Sequence, residues 1–298
     1  MAKSPTHRFG QIIGDLLEAA LEPSLAKFAK EHDLYLDKKG DRPCRKKRKK
    51  CSWLDLNKNK HDLDFVLERG GTADKQGMPA AFIETAWRSY TKHSRAKAQE
   101  IQGAILPLVE TYKAVAPFTG VVIAGWFTEG ARTQLESLGF AILHFSHKSV
   151  VDAFAQFGID AAFDEDTPDA EVQKKVDAYA ALSVGQRRGI AQYLFASNKD
   201  DVLRFMTALE KTVLRQIERI IVLPLHGNTA ELTTVDDAIK FIKKYSETAS
   251  DLQIERYEIQ VRYNNGNIIE GKFKDKPSAI EFLLAYQPVP VAETKKKI

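Results

Sequence analysis

Two short runs, HDLDFVLE at residues 61–68 and AAFIETAW at residues 80–87, are the most informative part of this sequence. Each reads as a strand that carries acids in an otherwise apolar run. Because strand side chains alternate between faces, Asp62 and Asp64 share one face, and Glu84 lies between Phe82 and Ala86 on one face of the second strand. A charge on a half-buried strand is costly unless it is paired or binds a metal. The runs therefore predict either solvent-facing acids on edge strands or a site for a hard cation.

The residues before these runs predict a helix, a loop and a hairpin. Apolar residues recur at helical spacing from Phe9 to Glu31. The basic segment 38–50 has no periodicity and contains Gly40 and Pro43, which predicts a loop. A strand at residues 52–56 then turns at residues 57–60 into the first acid-bearing strand, so we expect an antiparallel hairpin.

The residues after the runs alternate between helix and strand. Helical spacing covers residues 96–112, and the run TGVVIAGW at residues 119–126 is typical of a buried central strand. A helix at 129–138, a strand at 140–145 and a helix through Phe157 follow. Alternating strands and helices predict parallel neighbours, whereas the early hairpin predicts antiparallel ones. We therefore expect an α/β fold with a mixed central sheet flanked by helices.

The remaining chain predicts two further regions beyond a core of residues 1–160. Residues 161–217 have a mainly helical pattern, and residues 218–290 predict a small C-terminal α+β region. The Asn264-Asn265-Gly266-Asn267 sequence is a strong hairpin signal, because Asn-Gly adopts positive φ angles readily. That hairpin is a candidate for DNA recognition or for dimerisation.

The composition excludes several classes of protein. The chain has 298 residues and a formal net charge of +4, with the basic excess concentrated near residues 38–50. It contains no apolar run of about 18 residues and no apolar core of a secretion signal near its start, so we expect a cytoplasmic protein without a membrane partner. Cys44 and Cys51 predict two free thiols, with a reducible closure of the basic loop as the alternative. The lack of a Gly-rich phosphate loop argues against a nucleotide-driven motor.

The order of elements around the acids resembles the PD-(D/E)xK nuclease superfamily, the core of many restriction endonucleases, over residues 9–157. The likeness consists of a helix, a three-strand meander, a helix and a further strand, with Asp64 on the second strand and Glu84 on the third. It implies that these two acids hold one or two Mg²⁺ ions, with Mn²⁺ as a substitute, and that a nearby lysine positions or activates the attacking water. Independently of the family, phosphodiester hydrolysis needs a hard cation, and Mg²⁺ prefers carboxylate and water oxygens.

The sequence departs from the superfamily pattern at two positions. Leu63 stands where a proline is expected, and Ala86 stands where the lysine should follow the glutamate. The superfamily allows that lysine to come from the next helix, where Lys92 and Lys97 are available. Lys97 is the preferred candidate because its helical neighbours place it beside an apolar face that would lean on the sheet.

Other residues are candidates with two interpretations each. Asp62 is either a third metal ligand or a cap of the hairpin, and Glu18 or Glu22 on the first helix either reaches the metal or faces solvent. We expect ordinary polar roles for His144 and His147. The predicted nucleic-acid contacts, which would lend salt-dependent affinity beside an acidic metal site, are Arg45, Lys46, Lys47, Arg48, Lys49 and Lys50.

These observations predict a Mg²⁺-dependent DNA endonuclease, most simply of the Type II restriction class, because a sizeable region beyond the core is available for sequence readout. A homodimer on double-stranded DNA is expected, since two active sites would address two antiparallel strands. The alternatives are a catalytically inactive DNA-binding or scaffolding protein of the same fold and a DNA repair or junction nuclease.

Overall fold

The computed structural model describes residues 4–46, 48–225, 227–247 and 255–286. The chain divides into two compact units. The first unit comprises Met1–Tyr112 and Pro117–Val213, and the second comprises Lys113–Ala116 and Leu214–Ile298. Within the described residues, every helix is too short or too polar to cross a lipid bilayer.

Besides two single-turn 3₁₀ helices at Pro43–Arg45 and Thr91–His93, the first unit contains seven α-helices and seven strands in its described part. In chain order they are α1 (Pro5–Glu31), β1 (Leu34–Lys38), β2 (Cys51–Leu54), β3 (Lys60–Leu63), β4 (Phe65–Arg69), β5 (Met78–Arg88), α2 (Ser94–Thr111), β6 (Phe118–Gly125), α3 (Glu129–Ser137), β7 (Ala141–Ser146), α4 (His147–Ala155), α5 (Asp169–Ala181), α6 (Val184–Ser197) and α7 (Lys199–Val213).

The central sheet has five strands in the order β1-β4-β5-β6-β7. Strand β4 pairs antiparallel with both β1 and β5, whereas β5, β6 and β7 run parallel to one another. The parallel strands are joined through α2 and α3, as parallel connections require a crossover. This confirms the predicted α/β class with a mixed sheet flanked by helices.

The hairpin of β2 and β3 forms a separate two-stranded sheet, with Cys51 opposite Leu63 and Leu54 opposite Lys60. The sequence predicted one continuous acid-bearing strand over residues 61–68, and this was wrong. The chain bends at Asp64, so that β3 belongs to the hairpin and β4 to the central sheet. The bend separates Asp62 from Asp64, and the alternation argument that put them on one face does not apply across it.

Helices cover both faces of the central sheet. On one face, Val66, Phe82 and Val121 of the sheet pack with α2, α3 and the buried Trp53 of the hairpin. On the other face, α1, α4 and α7 contact β5, β6 and β7, with Phe118 of β6 against Phe205 of α7 at a ring-centroid distance of 5.6 Å. The central strands are therefore buried on both sides, which explains the continuous apolar run of β6.

Helix α1 is the element around which the later helices assemble. Ser4 caps it by accepting a hydrogen bond from the His7 N–H at 3.2 Å, and its apolar stripe includes the fully buried Phe9, Ile13 and Leu17. Helices α5 and α6 pack against α1, and α7 packs against the sheet. The helical residues 161–213 thus lie within the first compact unit and do not form a region of their own. Their apolar faces are buried against α1 and the sheet.

The second unit is an antiparallel sheet covered by two helices. Its elements are β8 (Ile217–Pro224), β9 (Ala230–Leu232), α8 (Val235–Lys244), β10 (Tyr257–Tyr263), β11 (Ile268–Phe273) and α9 (Lys276–Leu284). The strand order is β11-β10-β8-β9, and the turn between β10 and β11 contains Gly266 at φ +86°. Ile220, Ile242 and Leu283 contribute to a core of its own, in line with the expected C-terminal α+β region.

Candidate active site

Asp64 directly precedes β4, and Glu84 lies in the middle of β5. The antiparallel register pairs Phe65 with Ile83, which brings Asp64 next to Glu84 at the end of the paired segment. Thr85 fixes the aspartate, because its backbone N–H and its hydroxyl donate to Oδ2 of Asp64 at 2.7 and 2.8 Å. The two acids therefore share one location in the fold.

Glu84 is held where its own charge is poorly solvated. It lies on the α2 side of the sheet, between the buried Phe82 and Ala86 of the same face. Its Oε1 atom is buried without a hydrogen-bond partner in the part of the chain that the structure describes. Burial, and then the neighbouring charge of Asp64, raise the pKa of Glu84 well above its ordinary value. A buried carboxylate oxygen without a donor is the feature that a bound cation would satisfy.

Lys97 approaches the acids from α2. Its side chain is only 16% exposed, and its Nζ donates to Oε1 of Glu100 at 2.7 Å. The positive charge of Lys97 acts on Glu84 in the direction that lowers the pKa of that carboxyl, against the larger effect of burial. Arg88, at the end of β5, extends the cluster with an Nη2 atom 3.8 Å from Oε2 of Glu100.

Lys92, the other candidate for the missing lysine, faces a different way. Its side chain is 68% exposed, and its Nζ lies 3.9 Å from Oε2 of Glu165. The structure thus brings Lys97, and not Lys92, to the acid pair, while the buried Ala86 packs into the core with α2.

Glu18 of α1 also lies within electrostatic reach of the pair. Burial and then the charge of Asp64 raise the pKa of Glu18 to about 7 from an ordinary value of 4.5. Glu22, one turn further on, is bound to Lys38 instead. Of the two glutamates singled out on the first helix, Glu18 is the one directed at the site.

Asp62 is engaged on the hairpin and not at the acid pair. Lys50 Nζ donates to its Oδ2 at 2.6 Å, and the Ser52 hydroxyl donates to its Oδ1 at 2.5 Å. This corresponds to the hairpin role among the two interpretations of Asp62, because both of its carboxylate oxygens are used across β2 and β3.

The acid pair fits a magnesium ion that is completed by other ligands. Among the described residues, no group of three or more His, Cys, Asp or Glu side chains is arranged to hold a metal. Mg²⁺ is commonly bound by one or two carboxylates, with waters and substrate phosphates filling its remaining positions. The Oε1 atom of Glu84 has no hydrogen-bond partner among the described residues, and the charges of Glu84 and Asp64 repel each other. A cation between the two carboxylates would offset both costs.

The basic segment is partly buried. Arg42 makes a bidentate pair with the fully buried Glu68 at 2.6 and 2.9 Å. Arg45 lies 3.3 Å from the buried Asp37 and donates to two backbone carbonyls. The guanidinium of Arg45 is therefore used inside the fold, which corrects its expected role as a phosphate contact. The exposed cations of the segment are Lys39, Lys46, Arg48, Lys49 and Lys50, and Lys47 lies outside the described residues.

The two histidines near the end of β7 have different surroundings. Nε2 of His144 lies 3.2 Å from the Gly125 carbonyl oxygen, and burial lowers the pKa of His144. The ring of His147 stacks on aromatic side chains. Sequence reasoning missed Thr85 as the residue that holds Asp64. Its signal was a hydroxyl residue directly after Glu84, but only the strand pairing turns that neighbour into a hydrogen-bond donor to the aspartate.

Comparisons with known proteins do not assign the chain to a family. No protein family and no curated protein matches it. Among solved structures it is similar to a crystal structure of the protein of unknown function AF1548, with 10% sequence identity and a TM-score of 0.26, over 61% of this chain and 99% of that chain.

Proposed function

We propose that this protein is a Mg²⁺-dependent DNA endonuclease of restriction type. The observation that carries the proposal is the juxtaposition of Asp64 and Glu84 on adjacent strands, with an unpartnered oxygen on Glu84 among the described residues. Two neighbouring carboxylates repel each other when both are ionised, which is unfavourable unless they bind a cation or share a proton. The resemblance to PD-(D/E)xK nucleases supports the choice of reaction.

Each residue of the site has a distinct role in this proposal. Asp64 and Glu84 hold the magnesium ion, and Thr85 keeps Asp64 in position through two hydrogen bonds. When bound, Mg²⁺ supplies charge neutralisation at the scissile phosphate and a lower pKa for water. Lys97 places a positive charge beside Glu84 and is the group that orients the attacking water. Glu18 adds negative potential from α1 and becomes ionised around neutral pH.

Lys97 replaces the lysine that the superfamily pattern has at position 86. Ala86 is 4% exposed and packs among apolar residues of α2, so a lysine there would have to bury its charge in the core. Lys97 places its charge near Glu84 from α2, so no charge has to be buried among these apolar residues. The migrated position is therefore compatible with the packing.

The exposed part of the basic segment supports nucleic acid as the partner. Lys46, Arg48 and Lys49 are exposed beside one another, and Lys50 bonds Asp62 on the hairpin that leads to Asp64. Cations next to an acidic metal site offset its repulsion of phosphates. The second unit remains a candidate for sequence readout or for dimerisation on double-stranded DNA.

Two features favour one competing function: Ala86, and the absence among the described residues of a third acid arranged with the pair to hold a metal. A DNA-binding protein of this fold that has lost catalysis would keep the basic surface and dispense with the lysine. This alternative predicts DNA binding that does not depend on a divalent cation.

Incubation of plasmid and phage DNA with the protein and Mg²⁺ tests the proposal. Wild-type protein and a Glu136→Gln control, which removes an exposed acid of α3, are expected to give discrete fragments. A Glu84→Ala variant is expected to bind the same DNA and leave it intact, because the cation has lost a ligand. Metal-independent binding without cleavage of any DNA or RNA, single- or double-stranded, would refute the nuclease and support the competing function.

A further inference from the structure

A stack of three aromatic rings leads from the interior of the first unit to its surface. Trp87 is 8% exposed, and its ring lies 5.9 Å from that of His147 at an interplanar angle of 25°. The ring of Trp126 lies 5.2 Å from His147 at an angle of 22° and is 48% exposed. The stack therefore ends in an indole that is half open to solvent.

The parallel part of the sheet places these rings together. Trp87 is near the end of β5, Trp126 directly follows β6, and His147 begins α4 directly after β7. Gly125 turns the chain at φ +90°, and a Cβ there would lie 2.1 Å from the Arg88 carbonyl oxygen. The Trp126 N–H donates to the same carbonyl at 2.9 Å. The position of Trp126 is thus set by a glycine and by a hydrogen bond to β5.

Core packing alone does not account for the stack. Nε1 of Trp87 and Nε2 of His147 are buried without hydrogen-bond partners among the described residues, and such atoms oppose folding. Burial lowers the pKa of His147, so this ring is neutral at neutral pH and stacks as an uncharged aromatic. The arrangement presents a flat, uncharged surface on Trp126, held from behind by two further rings.

A basic cavity of about 320 Å³ lies where α2 and α3 begin, and α3 follows Trp126 closely in the chain. Its lining residues are Thr91, Lys92, Ser94, Arg95, Thr128 and Gly130. Thr128 is two residues from Trp126, which limits the separation of their Cα atoms to about 7 Å. Arg95 has no ion-pair partner in the described part of the chain, and the pair of Lys92 with Glu165 at 3.9 Å joins two exposed side chains. Such an exposed pair is weak, so both cations are available to an anion.

We propose that Trp126 and this cavity form a subsite for one unpaired nucleotide of a nucleic-acid strand. The base stacks on the open face of Trp126, and its phosphate lies in the cavity near Arg95 and Lys92. Stacking on an aromatic ring is tolerant of base identity, and a positive groove beside it follows the backbone. The combination of a flat aromatic ring and adjacent cations is what selects this occupant over an apolar peptide or a second copy of the chain.

The inference rests on the proposed function and specifies its substrate. Trp87 is three residues beyond Glu84 on β5, about 10 Å along the strand. The rings of His147 and Trp126 extend a further 5.9 and 5.2 Å beyond Trp87, so the subsite is within about six nucleotide steps of the acid pair at the rise of a duplex. The substrate is a strand with a flipped, looped or unpaired nucleotide within several positions of the cleavage site. A mismatched or unpaired base enters such a site most easily because its unstacking costs least.

Equilibrium binding without divalent metal, in a Glu84→Gln background that cannot cut, tests the subsite. Three probes share one duplex sequence: a perfect duplex, the same duplex with one unpaired adenine, and the same duplex with an unpaired abasic nucleotide. The unpaired adenine is expected to bind about 5- to 150-fold more tightly than the abasic nucleotide, the range that one stacked base supplies. Trp126→Ala is expected to remove this preference, and Trp126→Phe to retain most of it.

The controls separate a stacking role from a loss of fold. Leu203→Ala changes a side chain of α7 that is 65% exposed and is expected to leave the preference intact. Arg95→Ala is expected to weaken the adenine and abasic probes equally and to lower the slope of log affinity against log salt by about 1. Far-UV circular dichroism and the Tm of each variant establish that it is folded.

Equal affinity for the adenine and abasic probes, or a preference that survives Trp126→Ala, would overturn the subsite. Free adenosine monophosphate that competes as strongly as the unpaired probe would show a mononucleotide pocket and would also overturn it. The outcomes are independent of the nuclease test. A binding preference in a protein that never cuts leaves the subsite standing, and cleavage without the preference leaves only the nuclease standing.

Discussion

At the scale of single residues, Glu84 is the side chain whose environment is hardest to explain without a ligand. Its side chain is half-buried next to Asp64, burial and then the charge of Asp64 raise its pKa, and its buried Oε1 atom has no partner among the described residues. Below pH 4.5 Glu84 is protonated in the folded and unfolded chains alike. Between that pH and the higher pKa of the folded state, only the unfolded chain releases the proton. The free energy of unfolding of the metal-free protein therefore falls as the pH rises through this range.

Glu84→Gln is expected to make the metal-free protein more stable at pH 8 and to have little effect near pH 4.5. The amide keeps the shape of the side chain and removes the buried charge. Each kcal/mol gained raises Tm by about 2–4 °C for a chain of this size. Thermal unfolding in EDTA measures the difference, with Glu136→Gln as the control. A variant that is less stable than wild type at pH 8 would contradict the assigned environment of Glu84.

Lys97→Ala is expected to lower kcat for DNA cleavage by about 100-fold or more, the contribution typical of a positioned proton-transfer group. Stabilisation of the protein by Mg²⁺ should persist, because the acids that hold the cation are unchanged. Lys27→Ala, which removes an exposed lysine of α1, provides the matched control. Full activity of the Lys97 variant would exclude Lys97 as the migrated lysine.

The sequence was sufficient to select Asp64 and Glu84, because acids inside apolar strand runs are conspicuous. It favoured Lys97 over Lys92 only through the apolar face beside Lys97, and it could not decide between Glu18 and Glu22. Each choice depends on how α1 and α2 rotate against the sheet, and neighbouring residues of one helix have similar local patterns. The packing of the helices, not the local sequence, selects Lys97 and Glu18.

At the scale of elements, the bend at Asp64 and strand β1 are the features that local patterns did not reveal. Polar and apolar residues alternate from Asp62 to Phe65, and Val66 and Leu67 continue the apolar run, so no turn residue in 61–68 marks the change of sheet. Strand β1 is short and contains Asp37, which is buried by pairing with Arg42 at 2.9 Å. A buried charge is acceptable there only because a residue from another segment neutralises it. Such pairings depend on tertiary contacts and are invisible to periodicity.

Two glycines of the first unit are expected to respond to alanine in opposite directions. Gly125→Ala should destabilise the protein by about 1–3 kcal/mol, since φ is +90° and the new Cβ would meet the Arg88 carbonyl. Gly103→Ala should stabilise it by about 0.5–1 kcal/mol, because this position lies inside α2 with open space around it. Chemical denaturation of both variants measures the two values. If both substitutions changed the free energy of unfolding in the same direction, the assigned backbone conformations of Gly125 and Gly103 would be wrong.

At the scale of the whole molecule, the position of the basic residues matters more than their sum. The formal net charge is only +4, yet Lys46, Arg48 and Lys49 are exposed within four positions of the chain. The sequence located this cluster but did not indicate that Arg42 and Arg45 turn inward, because their partners Asp37 and Glu68 belong to strands of the central sheet. The sequence likewise did not show that residues 161–213 belong to the first unit, because their place there depends on contacts with α1.

Replacing Lys46, Arg48 and Lys49 together by serine is expected to weaken DNA binding and to reduce the slope of log affinity against log salt by about 2–3, close to 0.9 for each phosphate that these cations neutralise. Replacing the exposed Lys27, Lys30 and Lys174 of α1 and α5 by serine serves as the control of equal charge. Fluorescence anisotropy between 50 and 200 mM salt, about the range in which such slopes are resolved, gives both values. An unchanged slope in the first variant would remove this segment from the nucleic-acid interface.

The central claim is that Asp64 and Glu84 together hold a divalent cation, and Mn²⁺ titration followed by electron paramagnetic resonance tests it most directly. Because both ligands must be ionised, binding to the wild-type protein is expected to be tighter at pH 8 than at pH 6. Asp64→Asn and Glu84→Gln are each expected to weaken it by about tenfold or more, and Glu136→Gln to leave it unchanged. Mn²⁺ affinity that is the same in wild type and in both acid variants would contradict the claim.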